Sequence, residues 1–136
     1  ILLNLAVNAF QCAPQPHVVV VDVQLLPRPL ELARFKDTVQ ERVLNVENFD
    51  NTAPILAIAV RDNGPGIPTE VLPQIFNPYF TTKSSRHGTG LGLNIVQRLV
   101  KQTGGIIHVR TKAGEGTTFT VYIPAARVAA EPPGKN

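Results

Sequence analysis

The sequence has one cysteine, no methionine, no tryptophan and only 17% charged residues among its 136. The single cysteine, Cys12, cannot form an internal disulfide, which is typical of a reducing compartment. No apolar run approaches the length of a membrane span, and no signal peptide is visible. The sequence therefore predicts a globular cytoplasmic domain, held at a membrane only if a longer parent protein is anchored there.

The charge is mild, with a formal net value of +3 spread along the chain and accompanied by six Phe and two Tyr. A nucleic-acid-binding surface is usually more clustered and more aromatic, so no nucleic-acid partner is expected. A hydrophobic content of 43% is enough for one domain with a packed core. The chain begins at Ile1 without an initiator methionine, and we interpret it as a piece of a longer protein.

Hydrophobic periodicity predicts an α/β arrangement. The predicted elements are a helix over 1–13, strands over 17–26 and 55–61, a short helix over 69–76 capped by Thr69, a loop over 77–88, a helix from Gly90 to the Gly104-Gly105 pair, and strands over 106–111 and 117–123. Residues 125–136 are polar and contain proline, so a disordered tail is expected.

Residues 27–53 are the least decisive part of the pattern. A helical period favours a helix, carried by Leu32, Phe35, Val39, Val43 and Val46. The stretch from Val43 to Val46 could equally extend a hairpin. The sequence leaves both alternatives open.

Three alternating glycines, Gly88, Gly90 and Gly92, precede the second long helix. Without Cβ atoms they let backbone N–H groups approach an anion, and the helix start adds unpaired N–H groups and a positive dipole end. No Gly-Lys-Ser/Thr follows, which excludes a P-loop, and the spacing and context do not match a dinucleotide fingerprint. The pattern predicts a phosphate site, with a flexible hinge as the plain alternative.

Asp62 ends an apolar strand and is followed by Gly64 and Gly66. An ionised carboxylate only accepts hydrogen bonds, so it can take the exocyclic amine of adenine, whereas guanine presents a carbonyl at that edge. The two glycines permit a sharp turn and leave room for a flat ring. The alternative is an ordinary Asp-Asn-Gly turn.

Asn4 and Asn8 lie four residues apart and project from one face of the first helix. An amide oxygen suits Mg²⁺, which retains waters and nucleotide phosphates as its other ligands. Helix capping or solvent exposure is the alternative. In the loop, Lys83 and Arg86 are either phosphate contacts or solvated cations, and Thr117 either bonds near the base or is a simple strand residue. No His/Cys/Asp/Glu set has metal-ligand spacing, and His108 is interpreted as structural.

Five segments in order resemble the motifs of sensor histidine kinases. Residues 4–9 resemble the N box, 62–67 the G1 box, 75–83 the F box, 88–93 the G2 box, and 114–119 with 122–124 the closing segment. The G1 and F boxes are most similar to those of nitrogen-regulation (NtrB-like) kinases. The resemblance covers residues 1 to about 124.

The resemblance implies a two-layer α/β sandwich of the Bergerat (GHKL) type. Its mixed, mostly antiparallel sheet would be covered on one face by helices, with a mobile ATP lid over 77–90 and an unusually long link over 27–53. Residues 1–124 would bind ATP and Mg²⁺, with Asp62 reading adenine and Asn8 ligating the metal through the nucleotide phosphates. The implied ATP-binding residues are Asn4, Asn8, Asp62, Gly64, Gly66, Ile67, Phe76, Phe80, Thr82, Lys83, Gly88, Thr89, Gly90, Leu91, Gly92, Leu93 and Thr117.

Departures from the family pattern indicate which part of a kinase this chain represents. Kinases of this kind phosphorylate a histidine that is typically followed by an acidic residue, but His17, His87 and His108 are followed by Val, Gly and Val. The resemblance therefore implies the catalytic ATP-binding fragment of a protein-histidine kinase. Its partners would be a phosphoacceptor hairpin domain in a homodimeric parent and a downstream response regulator.

Other members of the wider superfamily are the alternatives. Gyrase- and MutL-type ATPases carry a glutamate four residues before the asparagine to activate water, where this chain has Asn4. A nucleotide-binding module without catalysis, or an anti-sigma-type serine kinase, is a further alternative. The filled ligand positions and the form of the first box favour the histidine kinase.

Overall fold

The computed structural model describes residues 1–11, 16–77 and 92–125. In these residues two α-helices and five strands are formed. They are α1 (Leu2–Gln11), β1 (Val19–Leu26), β2 (Glu41–Leu44), β3 (Ile55–Asp62), α2 (Gly92–Gln102), β4 (Ile106–Lys112) and β5 (Gly116–Pro124). No helix in the described part is long and apolar enough to cross a membrane.

The five strands form one sheet in the order β1-β3-β5-β4-β2. All four pairings between the described strands are antiparallel. The central pair is β3 with β5, which aligns Asp62 with Thr117 at one end and Ile55 with Pro124 at the other. The predicted two-layer α/β arrangement is confirmed, and the described pairings contain no parallel component.

The core lies between one face of the sheet and the two helices. Strand residues alternate between faces, so Val60, Phe119 and Val121 reach the same side and are buried there. Leu5 and Ala9 of α1, four residues apart, are buried on the face that packs against β3 and α2. Each fully buried large apolar side chain contributes about 1.5–3 kcal/mol, and this burial holds the helix layer on the sheet.

Of the two alternatives left open for residues 27–53, the favoured helix does not form. The segment contains β2 and two 3-10 turns, Leu32–Arg34 and Val46–Asn48. Strand β2 pairs with β4, so it is an edge strand rather than part of a local hairpin. Tertiary pairing outweighs the helical spacing of the apolar residues here. Pairing of β2 with β4 places Leu44 opposite Ile107, where Leu44 packs against the core.

The short helix predicted over 69–76 is also wrong in extent. Only one 3-10 turn forms, Leu72–Gln74, with Pro73 inside it. Thr69 does not cap a helix, since its hydroxyl donates to the neighbouring Glu70 carboxylate at 3.3 Å. A proline removes a backbone donor and limits the turn, while burial of Leu72 and Phe76 keeps the segment against the core.

Several predictions fall outside the described residues. The last part of the first predicted helix, with Cys12, is one of these, as are the lid from residue 78 onward and the tail from residue 126.

Candidate functional site

Asp62 lies at the end of β3 with only 6% of its surface exposed. Its Oδ1 accepts a hydrogen bond from the backbone N–H of Gly64 at 2.9 Å. The described residues place no hydrogen-bond donor on Oδ2, and they leave no fully buried side-chain nitrogen or oxygen without a partner. One carboxylate oxygen therefore orders the turn, and the other accepts no hydrogen bond from the described residues.

The β4–β5 hairpin closes against the turn that follows Asp62. The N–H of Gly114 donates to the carbonyl of Pro65 at 2.8 Å. The N–H of Ile67 donates to Thr111 Oγ1 at 2.8 Å. These two bonds tie the turn to the hairpin, so the backbone beside Asp62 is positioned by a strand pair distant from it in sequence.

Two glycines are required where these segments meet. Gly66 has φ +79°, and a Cβ added there would lie 2.4 Å from the carbonyl oxygen of Lys112. Gly116 has φ +122°, and its Cβ would lie 2.0 Å from the carbonyl oxygen of Asp62. Any side chain at either position would separate the turn from the hairpin.

Thr111 and Thr117 form a buried hydroxyl pair beside Asp62. Their Oγ1 atoms are 2.9 Å apart, and each residue is 6% exposed. Thr117 was predicted as a site residue, whereas Thr111 was missed because only the pairing of β4 with β5 brings it next to Thr117. The pair has a direct structural role, since Thr111 also accepts from Ile67.

Asn63 was also missed as a functional residue of the turn. Its Oδ1 accepts from the N–H of Val18 at 2.7 Å, and its own N–H donates to the carbonyl of Val18 at 3.2 Å. This two-way link joins the turn to the start of β1. The Asp-Asn-Gly sequence is the signal that could have indicated it, because Asn side chains commonly bond nearby backbone in turns.

The helix layer supplies the other predicted residues. Asn4 and Asn8 are half-buried on α1, which packs against β3, the strand that ends in Asp62. Leu93, in the first turn of α2, is partly buried against the core, and Gly92 begins that helix. These residues share the helix-covered side of the sheet with Asp62.

Phe76 lies in the core. It is 5% exposed, and its ring meets Phe119 edge-on with centroids 6.4 Å apart. Its carbonyl accepts from Asn94 Nδ2 at 3.2 Å, which joins the F-box segment to α2. Asn94 was not predicted, and its bond helps hold the start of α2 in place.

The structure brings Asp62, Gly64, Gly66, Ile67 and Thr117 together at one end of the sheet. Seven predicted residues lie outside the described part of the chain: Phe80, Thr82, Lys83, Gly88, Thr89, Gly90 and Leu91.

The chain is similar to proteins of known class. Residues 1–127 match the family described as histidine kinase-, DNA gyrase B-, and HSP90-like ATPase. The chain is 36% identical over 124 residues to the sensor kinase CckA of Brucella abortus, covering 91% of this chain and 12% of that protein. It is 43% identical over 72 residues to the sensory histidine kinase/phosphatase NtrB of Rhizobium leguminosarum, covering 53% of this chain and 18% of that protein.

A solved structure agrees in fold. The mycobacterial sensor histidine kinase MprB superposes with a TM-score of 0.61 at 23% identity, covering 90% of this chain and 66% of that one. The chain spans only about an eighth of the length of CckA and under a fifth of that of NtrB. Together with the Asp62 turn and the helix-covered sheet, these matches show that the chain belongs to the histidine kinase-, DNA gyrase B-, and HSP90-like ATPase family, as an ATP-binding domain of the sensor histidine kinase type.

Proposed function

We propose that residues 1–124 bind Mg-ATP and donate its γ-phosphate to a histidine on a separate hairpin domain of a longer parent protein. The observation that carries this proposal is the Asp62 carboxylate, nearly buried, with one oxygen bonded to Gly64 and the other left as an acceptor. The exocyclic amine of adenine would donate to that second oxygen. Gly64, Gly66, Ile67 and Thr117 would border the base.

The phosphate end of the nucleotide is assigned to the helix layer and the glycine run. Gly92 begins α2, where the unpaired N–H groups of a helix start attract phosphate. Gly88, Gly90 and the lid residues Phe80, Thr82 and Lys83 would complete the phosphate site. The same proposal gives residues 77–90 the role of a lid.

The metal is assigned to Asn8 together with the nucleotide. The described residues contain no group of three His, Cys, Asp or Glu side chains suited to a metal ion. A half-buried amide oxygen on α1 fits Mg²⁺, which binds few protein ligands and retains waters and phosphate oxygens. When bound, the ion would neutralise phosphate charge.

The phosphoryl acceptor is assigned to another domain. His17 Nε2 lies 2.7 Å from the carbonyl oxygen of Ala9, and His108 Nε2 lies 2.6 Å from Glu41 Oε2. Both rings already have hydrogen-bonding partners, and His108 lies on the sheet face opposite Asp62. In transfer, the acceptor imidazole nitrogen would bond to the γ-phosphorus, the bond to the β–γ bridging oxygen would break, and ADP would leave.

Asn4 supports a kinase over a hydrolase. A hydrolase of this family needs a carboxylate to activate water, and an amide is not a base. A kinase needs none at this position, because the incoming imidazole is the nucleophile. We assign the parent a homodimeric hairpin domain, a cytoplasmic catalytic portion and a response regulator as the final acceptor.

The test is transfer in trans. The domain is mixed with γ-labelled ATP, Mg²⁺ and a separately made hairpin domain of the parent, and acid-labile, base-stable phosphohistidine is measured. We expect label on the hairpin only, with none when its histidine is replaced by glutamine. Label on this domain alone, or hydrolysis without transfer, would contradict the proposal.

A further inference from the structure

A groove of about 540 Å³ lies on the sheet face opposite the helices. We call it the outer groove. Its floor is formed by Ala57 and Ala59 of β3 with Thr118 and Thr120 of β5, and its roof is formed by residues of segment 27–53, including Arg34 and Phe35. It is therefore separated from the Asp62 site by the thickness of the sheet.

The groove exists because the centre of its floor is small. On β3, Ala57 and Ala59 are the residues that face outward between β1 and β5, opposite Gln24 and Asp22 on one side and Tyr122 and Thr120 on the other. Their methyl groups leave a flat, shallow base that longer side chains would fill. The surrounding strands and the roof supply the walls.

The roof is held by specific contacts. The ring of Phe35 meets His108 edge-on at 4.9 Å and Tyr122 edge-on at 5.5 Å between centroids. Glu41 Oε2 is 2.6 Å from His108 Nε2. Leu30 and Asn51 bond in both directions, at 2.8 and 2.9 Å. A ligand would thus enter a largely preformed site, which lowers the ordering cost of binding.

The lining of the groove carries charges of both signs. Arg110 lies on β4 and Asp22 on β1, three strand spacings apart and two residues out of line, or about 16 Å at the backbone. Arg34 joins Arg110 on the groove lining. In the described part of the chain, Asp22, Arg34 and Arg110 make no ion pair and no side-chain hydrogen bond. The charge of Arg110 acts on Glu41 and that of Arg34 on Tyr122, but no ion pair or hydrogen bond prevents the three charged groups from contacting a ligand.

Tyr122 adds a neutral donor to the lining. Burial raises the pKa of its hydroxyl, and the charge of Arg34 offsets part of that rise. The hydroxyl is therefore protonated at neutral pH. The acids Asp22, Glu31 and Glu41 disfavour a polyanion such as a nucleotide in the same groove.

We propose that the outer groove binds a small zwitterion of the amino-acid class with an apolar or aromatic side chain. Its carboxylate would meet Arg110 and Arg34, its ammonium would meet Asp22, and its apolar part would lie on Ala57 and Ala59 beside Phe35. Such a ligand carries a carboxylate for the guanidinium groups, an ammonium for the acid and an apolar body for the alanine floor. This site is independent of the nucleotide function proposed above.

The test uses L-phenylalanine as the probe, followed by methyl NMR of alanine- and threonine-labelled protein. We expect the methyl signals of Ala57, Ala59, Thr118 and Thr120 to shift in a saturable manner, with and without ATP present. Phenethylamine lacks the carboxylate and 3-phenylpropionate lacks the ammonium, and we expect each to bind at least about tenfold more weakly. Equal binding of either analogue, or no saturable shift at millimolar L-phenylalanine, would overturn the proposal.

Two variants test whether the charges of Arg110 and Asp22 bind the probe. Arg110→Gln and Asp22→Asn should each weaken L-phenylalanine binding at least about tenfold. Arg98→Gln is the matched control, because Arg98 is an exposed arginine on α2 in the opposite layer, and it should leave the affinity unchanged. Because all three residues are exposed, thermal unfolding verifies that each variant is folded. Folded variants that retain full affinity would contradict the assigned charge pairing.

Discussion

At the scale of single residues, Asp62 positions the turn through two oxygen atoms, one in its side chain and one in its main chain. Oδ1 holds the N–H of Gly64, and the main-chain carbonyl of the same residue lies against Gly116. Asp62→Asn keeps the shape of the side chain and changes its charge, whereas Gly116→Ala changes the packing of the turn against the hairpin.

Asp62→Asn should weaken ATP binding at least about tenfold, because the amide carries no charge and has only one oxygen to share between Gly64 and the adenine amine. Isothermal titration calorimetry measures the effect, and the melting temperature reports the fold. Asp22→Asn, at an exposed aspartate of β1 on the other sheet face, is the control and should bind ATP normally. Unchanged affinity in Asp62→Asn would remove Asp62 from the site.

Gly116→Ala should destabilise the domain by at least about 3 kcal/mol, since its Cβ would lie 2.0 Å from the Asp62 carbonyl oxygen at φ +122°. Gly114→Ala is a matched control on the same hairpin. Gly114 also has positive φ, +80°, but nothing lies within 4 Å of its Cβ, so only about 1 kcal/mol of backbone strain is expected. Urea unfolding of both variants measures the difference. An equal loss of stability in the two variants would show that backbone strain alone requires glycine at position 116, and that the close approach of hairpin and turn does not.

At the scale of elements, β2 shows where local pattern fails. Residues 27–53 carry a helical spacing of apolar residues, but strand β2 is formed through pairing with β4, which follows much later in the chain. The strands β1, β3, β4 and β5 and helix α2 were predictable, since their alternation or amphipathic period is strong and their ends carry turn residues. The roof of the outer groove was not, because Phe35 and Glu41 find their partners across the sheet.

The Glu41–His108 pair gives the β2 edge a pH dependence. Burial raises the pKa of Glu41. Four effects lower it by more: the hydrogen bond from His108, the charge of His108, the backbone N–H of Lys36 and the charge of Arg110. The pKa therefore lies below its ordinary value of 4.5. A carboxyl group whose folded pKa is lowered adds stability above its unfolded pKa, and this stability is lost as the pH falls through the folded pKa.

Glu41→Gln should therefore cost about 1 kcal/mol at pH 6 and progressively less below about pH 4.5. Urea unfolding of both proteins across this range measures the convergence. Lys112 and Glu115 form an exposed pair at 3.1 Å, so Glu115→Gln serves as a control with little effect at either pH. A penalty for Glu41→Gln that stays constant down to pH 3 would exclude the ion pair as its cause.

At the scale of the whole molecule, ligand binding and unfolding are linked. A ligand that binds only the folded domain at a hundred times its dissociation constant stabilises it by about 2.7 kcal/mol, or roughly 9 °C in melting temperature for a domain of this size. We expect Mg-ATP to produce this shift and Mg-GTP to produce none, because Asp62 accepts an amine and repels a carbonyl. Differential scanning fluorimetry measures both melting-temperature shifts, and an equal shift with GTP would contradict the recognition of adenine by Asp62.

The sequence was most informative about the site where one short motif holds several functional atoms. The turn at Asp62 and Gly64 could be predicted because acid and glycine stand together and their hydrogen bond is local, whereas the contact of Gly66 with Lys112 could not. Thr111 and Asn94 were not, since each acts through a partner that only the assembled sheet and helix layer bring near. Phe76 was predicted as a ligand contact, which stays a prediction, and its burial against Phe119 shows a packing role.

The pairing of β2 with β4 has a consequence for synthesis on the ribosome. Glu41–Leu44 emerges long before Ile106–Lys112, so this edge strand has no partner until most of the domain has been translated. The local hairpin of β4 and β5 can form as soon as it is released, and β2 pairs with the β4 side of that hairpin. Strand β2 thus has no strand partner until residues 106–112 have been made, and a nascent chain truncated before them would present segment 27–53 to chaperones and proteases.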